Sequence, residues 1–211
     1  MIHDIFVGID PSTNSSGISI LDYDGDTLVD ERFFIIKPDK LSKKEAEAEM
    51  KINSFSYVLY DKHKPGENDN NHINELHKTK NFIQILEIAR DIILTYCKKY
   101  GLDYRLHVCQ EGISYGSVKR TKSIFDLAGL NYMLRMVVIS LIEKLNEGDF
   151  TIATPSEIKK FTSGNGNCNK EVMVDLFKVA HPEFSLPKLD DISDSYWMAT
   201  YARKIYKDNL R

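Results

Sequence analysis

Residues 7–20 read Val7-Gly-Ile-Asp10-Pro-Ser-Thr-Asn-Ser-Ser-Gly17-Ile-Ser-Ile20: an apolar run closing on aspartate and proline, a small-residue turn, then a second apolar run. With Ile5 and Phe6 ahead of it, the first run has the β-branched and aromatic content of a buried strand, and Asp10-Pro11 stops it. The second run, Ile18 to Leu21, leads into Asp22-Tyr-Asp-Gly-Asp26, whose Asp-Gly pair signals a hairpin turn. Thr27 to Ile36 then alternates as a third strand until Pro38. Three strands joined by short turns begin an antiparallel sheet. The Asp22-x-Asp24-x-Asp26 spacing imitates the start of a calcium loop, but its glycine comes too early for one, so it reads as a turn.

Beyond Pro38 the pattern changes. Lys40–Lys51 is charged and helix-prone, His63–Asn71 is turn-rich, and Ile73–Tyr100 carries apolar residues at helical spacing until Gly101. Leu106–Gln110 reads as a buried strand ending at Glu111, Ser123–Asn146 as a long amphipathic helix, and Phe150–Ala153 as a short strand. Thr154, Pro155 and Glu157 form the capping signature of a further helix, followed by helices over Asn169–Ala180 and Asp190–Tyr206. Strands first and strand–helix alternation afterwards predict an α/β domain with a mixed five-stranded sheet and helices on both faces. Residues 1–211 read as a single domain, within which about 38–100 differ in character.

The 211 residues are 42% hydrophobic and 28% charged, which suits one domain with a real core. No apolar run approaches the ~20 residues of a membrane span, and the start lacks the features of a secretory signal. Cys97, Cys109 and Cys168 are odd in number and widely spaced, against a disulfide scaffold or zinc knuckle. These features predict a cytoplasmic protein without a membrane partner. The net charge of -3 hides an asymmetry: residues 1–111 carry -5 and residues 112–211 carry +2. Lys119-Arg120-Lys122, Lys159-Lys160 and Arg203-Lys204-Lys207 are clusters that suit a phosphate backbone as well as a solvated face.

Four acids fall where a sheet would gather them. Asp10 and Glu111 close strands, while Asp191 and Asp194, three apart, share one face near the start of the last helix. Such carboxylates are hard oxygen ligands for Mg²⁺ or Mn²⁺. Each also has a structural alternative: a turn former at Asp10, a surface residue at Glu111, helix N-terminal capping for Asp190, Asp191 and Asp194.

Four stretches together resemble the RuvC-type Holliday junction resolvases, of the ribonuclease-H-like superfold. They are the Gly8-Ile-Asp10-Pro opening, the strand Val108-Cys-Gln-Glu111, the block Ala153 to Val172, and Asp190-Asp191-Ile-Ser-Asp194 to Ala199. The third is similar to the family's Pro…Val-Lys…Gly-x-Gly-x-Ala-x-Lys block, with Lys159 and Lys170 in register and Gly164 and Gly166 as its glycines. The resemblance implies a ribonuclease-H-like mixed five-stranded sheet and two Mg²⁺ or Mn²⁺ ions on Asp10, Glu111, Asp191 and Asp194. It also implies that Lys159 and Lys170 stand near the scissile phosphate, where a compact charge offsets developing negative charge. Tyr115, Lys119, Arg120, Lys122, Lys160, Gly164 and Gly166 are the candidate DNA contacts. The long helix with Leu127, Leu130, Leu134 and Val138 serves as core packing or as a homodimer interface.

The sequence departs from that family at Ser12, Ser114, Ser195 and Trp197, and its 101-position interval from Asp10 to Glu111 is longer than in the cellular enzymes. Such an insertion suggests a divergent, viral or mobile-element member, working then in the host-cell cytoplasm. His63, His72 and His77 read as solvated histidines rather than zinc ligands. The expected function is metal-dependent resolution of four-way DNA junctions by paired phosphodiester hydrolysis. A broader debranching or flap nuclease and a catalytically inactive junction-binding protein are the alternatives. A nucleotide-binding kinase or chaperone ATPase, whose phosphate loop also resembles residues 7–13, needs a second domain that 211 residues cannot hold.

Overall fold

The computed structural model describes residues 2–67, 69–101, 103–113, 121–145, 147–184, 186 and 189–210. Its strands are β1 (His3–Asp10), β2 (Ser16–Asp24), β3 (Thr27–Pro38), β4 (Phe55–Tyr60), β5 (Tyr104–Glu111) and β6 (Gly148–Ala153). Its helices are α1 (Lys43–Lys51), α2 (Asn71–Cys97), α3 (Thr121–Leu145), α4 (Pro155–Ser163), α5 (Lys170–Ala180) and α6 (Leu189–Asn209). The strands form one sheet in the order β4-β3-β2-β1-β5-β6. β1, β2 and β3 are antiparallel neighbours, while β5 is parallel to β1, β6 to β5 and β4 to β3.

The mixed sheet with helices on both faces is as expected, with one correction: the described residues give it six strands, not five. The sixth, β4, has the sequence Phe55-Ser-Tyr-Val-Leu-Tyr60, whose aromatic and aliphatic content suits a strand although its surroundings are charged and turn-rich. α1, between β3 and β4, opens on a capping box of Ser42 and Glu45, and Glu45 also pairs with Lys37 of β3 at 2.6 Å.

The central strands are buried on both faces, so their apolar runs are nearly continuous. Alternation along each strand still assigns the faces. Ile5, Val7, Ile9, Ile18, Ile20, Leu106 and Val108 join one core with α2 and α3. Phe6, Leu21 and Cys109 join the other, with α4, α5 and α6. A third cluster around Phe33, Phe177 and Phe184 extends that second core beneath β3. The three cysteines are free and buried, Cys97 in the first core and Cys109 and Cys168 in the second. Burial pushes the Cys97 and Cys109 thiols up to about 12.

α6 lies unusually close to the sheet. A Cβ on Gly8 would stand 1.8 Å from the Ser195 carbonyl oxygen, and one on Gly17 would stand 2.1 Å from that of Asp191. Between them, the buried hydroxyls of Ser19 and Ser195 hydrogen-bond at 2.7 Å, and Ser195 also donates to the Ile192 carbonyl at 3.0 Å. Ser195 is thus a polar clasp between helix and strand.

α3 carries its own correction. Against the expectation that no apolar run approaches a membrane span, Ile124–Lys144 is by length and composition apolar enough to cross one, although Asp126, Asn131 and Arg135 interrupt it. Its stripe Leu130, Leu134, Val138 and Leu141 packs into the first core. Asn131 accepts from the Gln110 side chain through its backbone carbonyl at 3.0 Å and its own side-chain oxygen at 2.8 Å.

Gly17→Ala should therefore lower unfolding stability by about 2 kcal/mol or more, because helix backbone rather than a flexible side chain must move. Gly25→Ala, on the open β2–β3 turn with φ 60° and nothing within 4 Å of a new Cβ, should cost only about 1 kcal/mol. Urea unfolding of the two variants checks the difference; equal losses would mean that the helix–sheet approach is slack.

Candidate active site

The parallel register pairs Ile9 with Gln110, so the next residues, Asp10 and Glu111, end neighbouring strands side by side. Neighbouring strands are ~4.8 Å apart, and the period of two sends both carboxylates to the α6 face, as it does Phe6 and Cys109. The first turn of α6 meets them there because Gly17 lets the Asp191 backbone down onto β2. Asp10 is 8% exposed and feels the charges of Glu111, Asp194 and Asp191. A cavity of about 190 Å³ opens beside them, lined by Glu111, Asp194, Lys159, Lys170, Ile158 and Met173. The six side chains expected to carry the chemistry therefore converge on one end of the sheet.

Cations reach this cluster from two helices. Lys170, the first residue of α5, places its ammonium 3.0 Å from Asp194 Oδ2 and 3.1 Å from Asp190 Oδ2. Burial disfavours its charge, but Asp194, Asp190 and Asp10 outweigh burial and raise its pKa. Lys159, on α4, acts on Glu111 and Asp194 at longer range. α4 starts at the capping box of Thr154 and Glu157 read from the sequence and ends at Gly164 in the left-handed conformation. Gly164 thus closes a helix, and Gly166 lies against Ser156, where a Cβ would come within 2.6 Å of the hydroxyl oxygen. Lys160 is exposed beside Lys159. Tyr115, Lys119 and Arg120 lie outside the described residues, as does the side chain of Lys122 in the first turn of α3.

The acids are not equivalent. Burial and then the charges of Glu111, Asp194 and Asp191 push the Asp10 carboxyl well above the carboxylate range. Glu111 is raised by burial and Asp194, although a hydrogen bond from Asp10 favours its charged form. Asp194 is raised by burial against the pull of Lys170. Asp191 accepts a hydrogen bond from Ser15, whose position in the β1–β2 loop gave no sign of a role in the sequence. Asp190 is turned toward Lys170, so of the two adjacent aspartates it is Asp191 whose charge reaches Asp10.

Asp10 and Glu111, raised by burial and by neighbouring acids and joined by a hydrogen bond, thus stand with Asp191 and Asp194 as a set of converging carboxylate oxygens. That donor set fits hard divalent cations. A separate grouping, Glu31, His181 and Glu183, brings potential ligand atoms within 4.8 Å of one another. Sequence reading missed it because Glu31 lies 150 positions from His181. His181 is buried against Phe33 and sits 3.4 Å from half-buried Glu31, the geometry of an ordinary side-chain pair.

No protein-family model and no curated protein sequence matches this chain. Among solved structures, the chain is similar to Thermus thermophilus RuvC, with 11% identity, a TM-score of 0.49 and coverage of 98% of this chain and 96% of that one. It is also similar to T. thermophilus RuvC in complex with a Holliday junction substrate, at 11% identity, TM-score 0.48 and coverage of 98% and 95%. A third is the yeast mitochondrial Holliday junction resolvase Ydc2, at 13% identity, TM-score 0.46 and coverage of 96% and 81%.

Carboxyls raised by folding stabilise the protein while they are protonated, and that contribution is lost as pH rises through their folded-state values. Without divalent ions, the chain should therefore lose stability from about pH 4 upward, from the ordinary carboxylate values of 3.8 and 4.5. Asp10→Asn should raise the melting temperature by several degrees at pH 7 in chelator, and millimolar Mg²⁺ or Mn²⁺ should stabilise the parent but not the variant. Thermal melts with and without metal check this; a variant less stable than the parent in chelator would contradict the electrostatic reading.

Proposed function

We propose that this chain is a divalent-metal-dependent endonuclease that resolves four-way and related branched DNA. The observation that carries the reading is the convergence of Asp10, Glu111, Asp191 and Asp194 beside a lysine-lined cavity at one end of the sheet. In this reading the four acids hold two Mg²⁺ or Mn²⁺ ions, with Asp191 rather than Asp190 as the fourth ligand. Paired ions of this kind supply charge neutralisation at a phosphodiester and activation of water.

The protein's own groups do the rest. Asp10 and Glu111 are fixed by the strand register, so their oxygens need little reorganisation. Ser15 orients Asp191. Lys170, anchored on Asp194 and Asp190, holds an ammonium at the cavity wall where negative charge on the phosphoryl oxygens would develop, and Lys159 adds a second. Ile158, Met173 and Met198 give the cavity an apolar floor that limits water around those charges.

Paired cuts on a four-way junction call for two sites related by a dyad, which a homodimer supplies. The outward side of α3 exposes Phe125, Tyr132 and Met136, at 77%, 54% and 72%, and Ile139 beside them, and this is the surface assigned to the second protomer. Met136→Glu should then convert a dimer into a monomer in sedimentation; a parent already monomeric at micromolar concentration would remove this part of the reading.

The decisive assay offers the full chain a four-way junction, a flap and a linear duplex, with and without Mg²⁺ or Mn²⁺. Symmetric nicks in the junction are expected, and Asp10→Asn or Glu111→Gln should reduce cutting by at least about 10³-fold while junction binding persists. Variants that cut at the parent rate would refute the site; cutting confined to the flap would shift the substrate to the broader debranching class.

A further inference from the structure

Residues 39–100 contribute none of the clustered acids, yet the turn after β4 comes to the same end of the sheet. β4, the edge strand, runs parallel to β3 with Tyr60 opposite Pro38, so the chain leaves β4 at the same end of the sheet as Asp10. There, three consecutive residues of the β1–β2 loop are held from two sides. The Tyr60 hydroxyl donates to the Thr13 carbonyl at 3.5 Å, and the Lys62 ammonium donates to the Asn14 side-chain oxygen at 3.4 Å. Ser15, the next residue, bonds Asp191 from the α6 side.

The ledge that carries Lys62 is pinned to its surroundings. The His63 N–H donates to the buried Asn81 side chain at 2.8 Å, Asn81 donates back to the His63 carbonyl at 3.0 Å, and Lys64 pairs with Asp39 at 3.2 Å. Both Asn81 bonds tie the ledge to α2, so its backbone is set before any ligand arrives. Lys62 itself is half-buried, and among the described residues its bonded partner is a neutral amide, which holds the ammonium without cancelling its charge. On the other side of the acids, Lys159 and Lys160 follow β6, at the opposite side of the sheet from β4. In the strand order, cations thus stand on the β4 side and on the β6 side of the strands that end in Asp10 and Glu111.

We propose that Lys62 is a phosphate anchor for the DNA strand entering the cleft, and that residues 38–100 serve to build the ledge that presents it. This rests on the nuclease reading above. DNA phosphates follow one another every ~3.4 Å along a strand, so a strand with one phosphate at the acids must lay its neighbours over the cleft rims. A fixed ammonium there, beside the loop that leaves Asp10, meets one of them.

The test uses the full chain carrying Asp10→Asn, so that a labelled four-way junction stays uncut, with binding followed by fluorescence anisotropy over a series of KCl concentrations. Lys62→Ala should weaken binding roughly fivefold and flatten the slope of log K against log salt by about 0.9, the mark of one lost phosphate contact. Lys62→Arg should keep both, and Asn14→Ala, which removes the partner but not the charge, should keep the slope. Lys62→Ala with unchanged affinity and slope overturns the proposal and leaves the nuclease reading standing. An unchanged slope with slower cutting in the otherwise native chain also overturns it, because Lys62 would then only brace the loop. If the Asp10→Asn chain does not bind the junction at all, both readings fall.

Discussion

The site depends on how closely α6 can approach the sheet. Helix and strand backbones meet at Gly8 and Gly17, where even a methyl group would collide with the carbonyls of Ser195 and Asp191. Asp10 and Glu111 are fixed by the β1–β5 register, but the acids of α6 reach them only if the helix axis sits at this depth. A side chain at either glycine would lift the first turn of α6 by an ångström or more, enough to spoil a constellation of converging oxygens. The Ser19–Ser195 hydrogen bond sets the helix along its axis, and the apolar residues around Phe177 and Met198 seat its two ends.

β1 shows the electrostatic consequence, since it carries a buried acid at each end. Burial alone would raise Asp4, but His107 and a two-pronged contact from Arg105, at 2.6 and 2.9 Å, outweigh it and hold the carboxyl below its ordinary value. Asp10, on the same strand, is pushed the other way by burial and by like charges. Near Asp4, buried Asp22 is likewise met by donors, from Tyr96 at 3.0 Å, from Tyr100 and from His3 at 2.8 Å. One end of the sheet is arranged for stability and the other accumulates unbalanced charge, the pattern of a fold that gives up stability where it needs chemistry.

Much of this was legible in the chain. Strand ends and a capping box are local events, and Asp10-Pro11, Glu111 and the Thr154–Glu157 pair announce them within a few residues. The two central strands were readable from composition, but the meeting of Asp10 and Glu111 was only what the resemblance implied, because strand order is set by long-range pairing. β4 was not, because six residues of strand between a charged helix and a polar loop lack the flanking periodicity that identifies longer elements. The choice between Asp190 and Asp191 was also beyond the sequence, since it turns on which side of one helical turn meets Ser15 and which meets Lys170. Ser15 and Lys62 are polar residues in loops whose partners are set by tertiary folding, and nothing in their neighbours along the chain marks them.

The placement of the cysteines has a practical corollary. Cys97 lies on one face of the sheet and Cys109 and Cys168 on the other, all of them buried. A thiol reagent can modify them only when the layer above each has opened, so its rate at Cys97 times the loosening of the α2–α3 layer and its rate at Cys109 that of the α6 layer. The native chain therefore carries thiol reporters on both faces of its sheet, without the introduction of a single label.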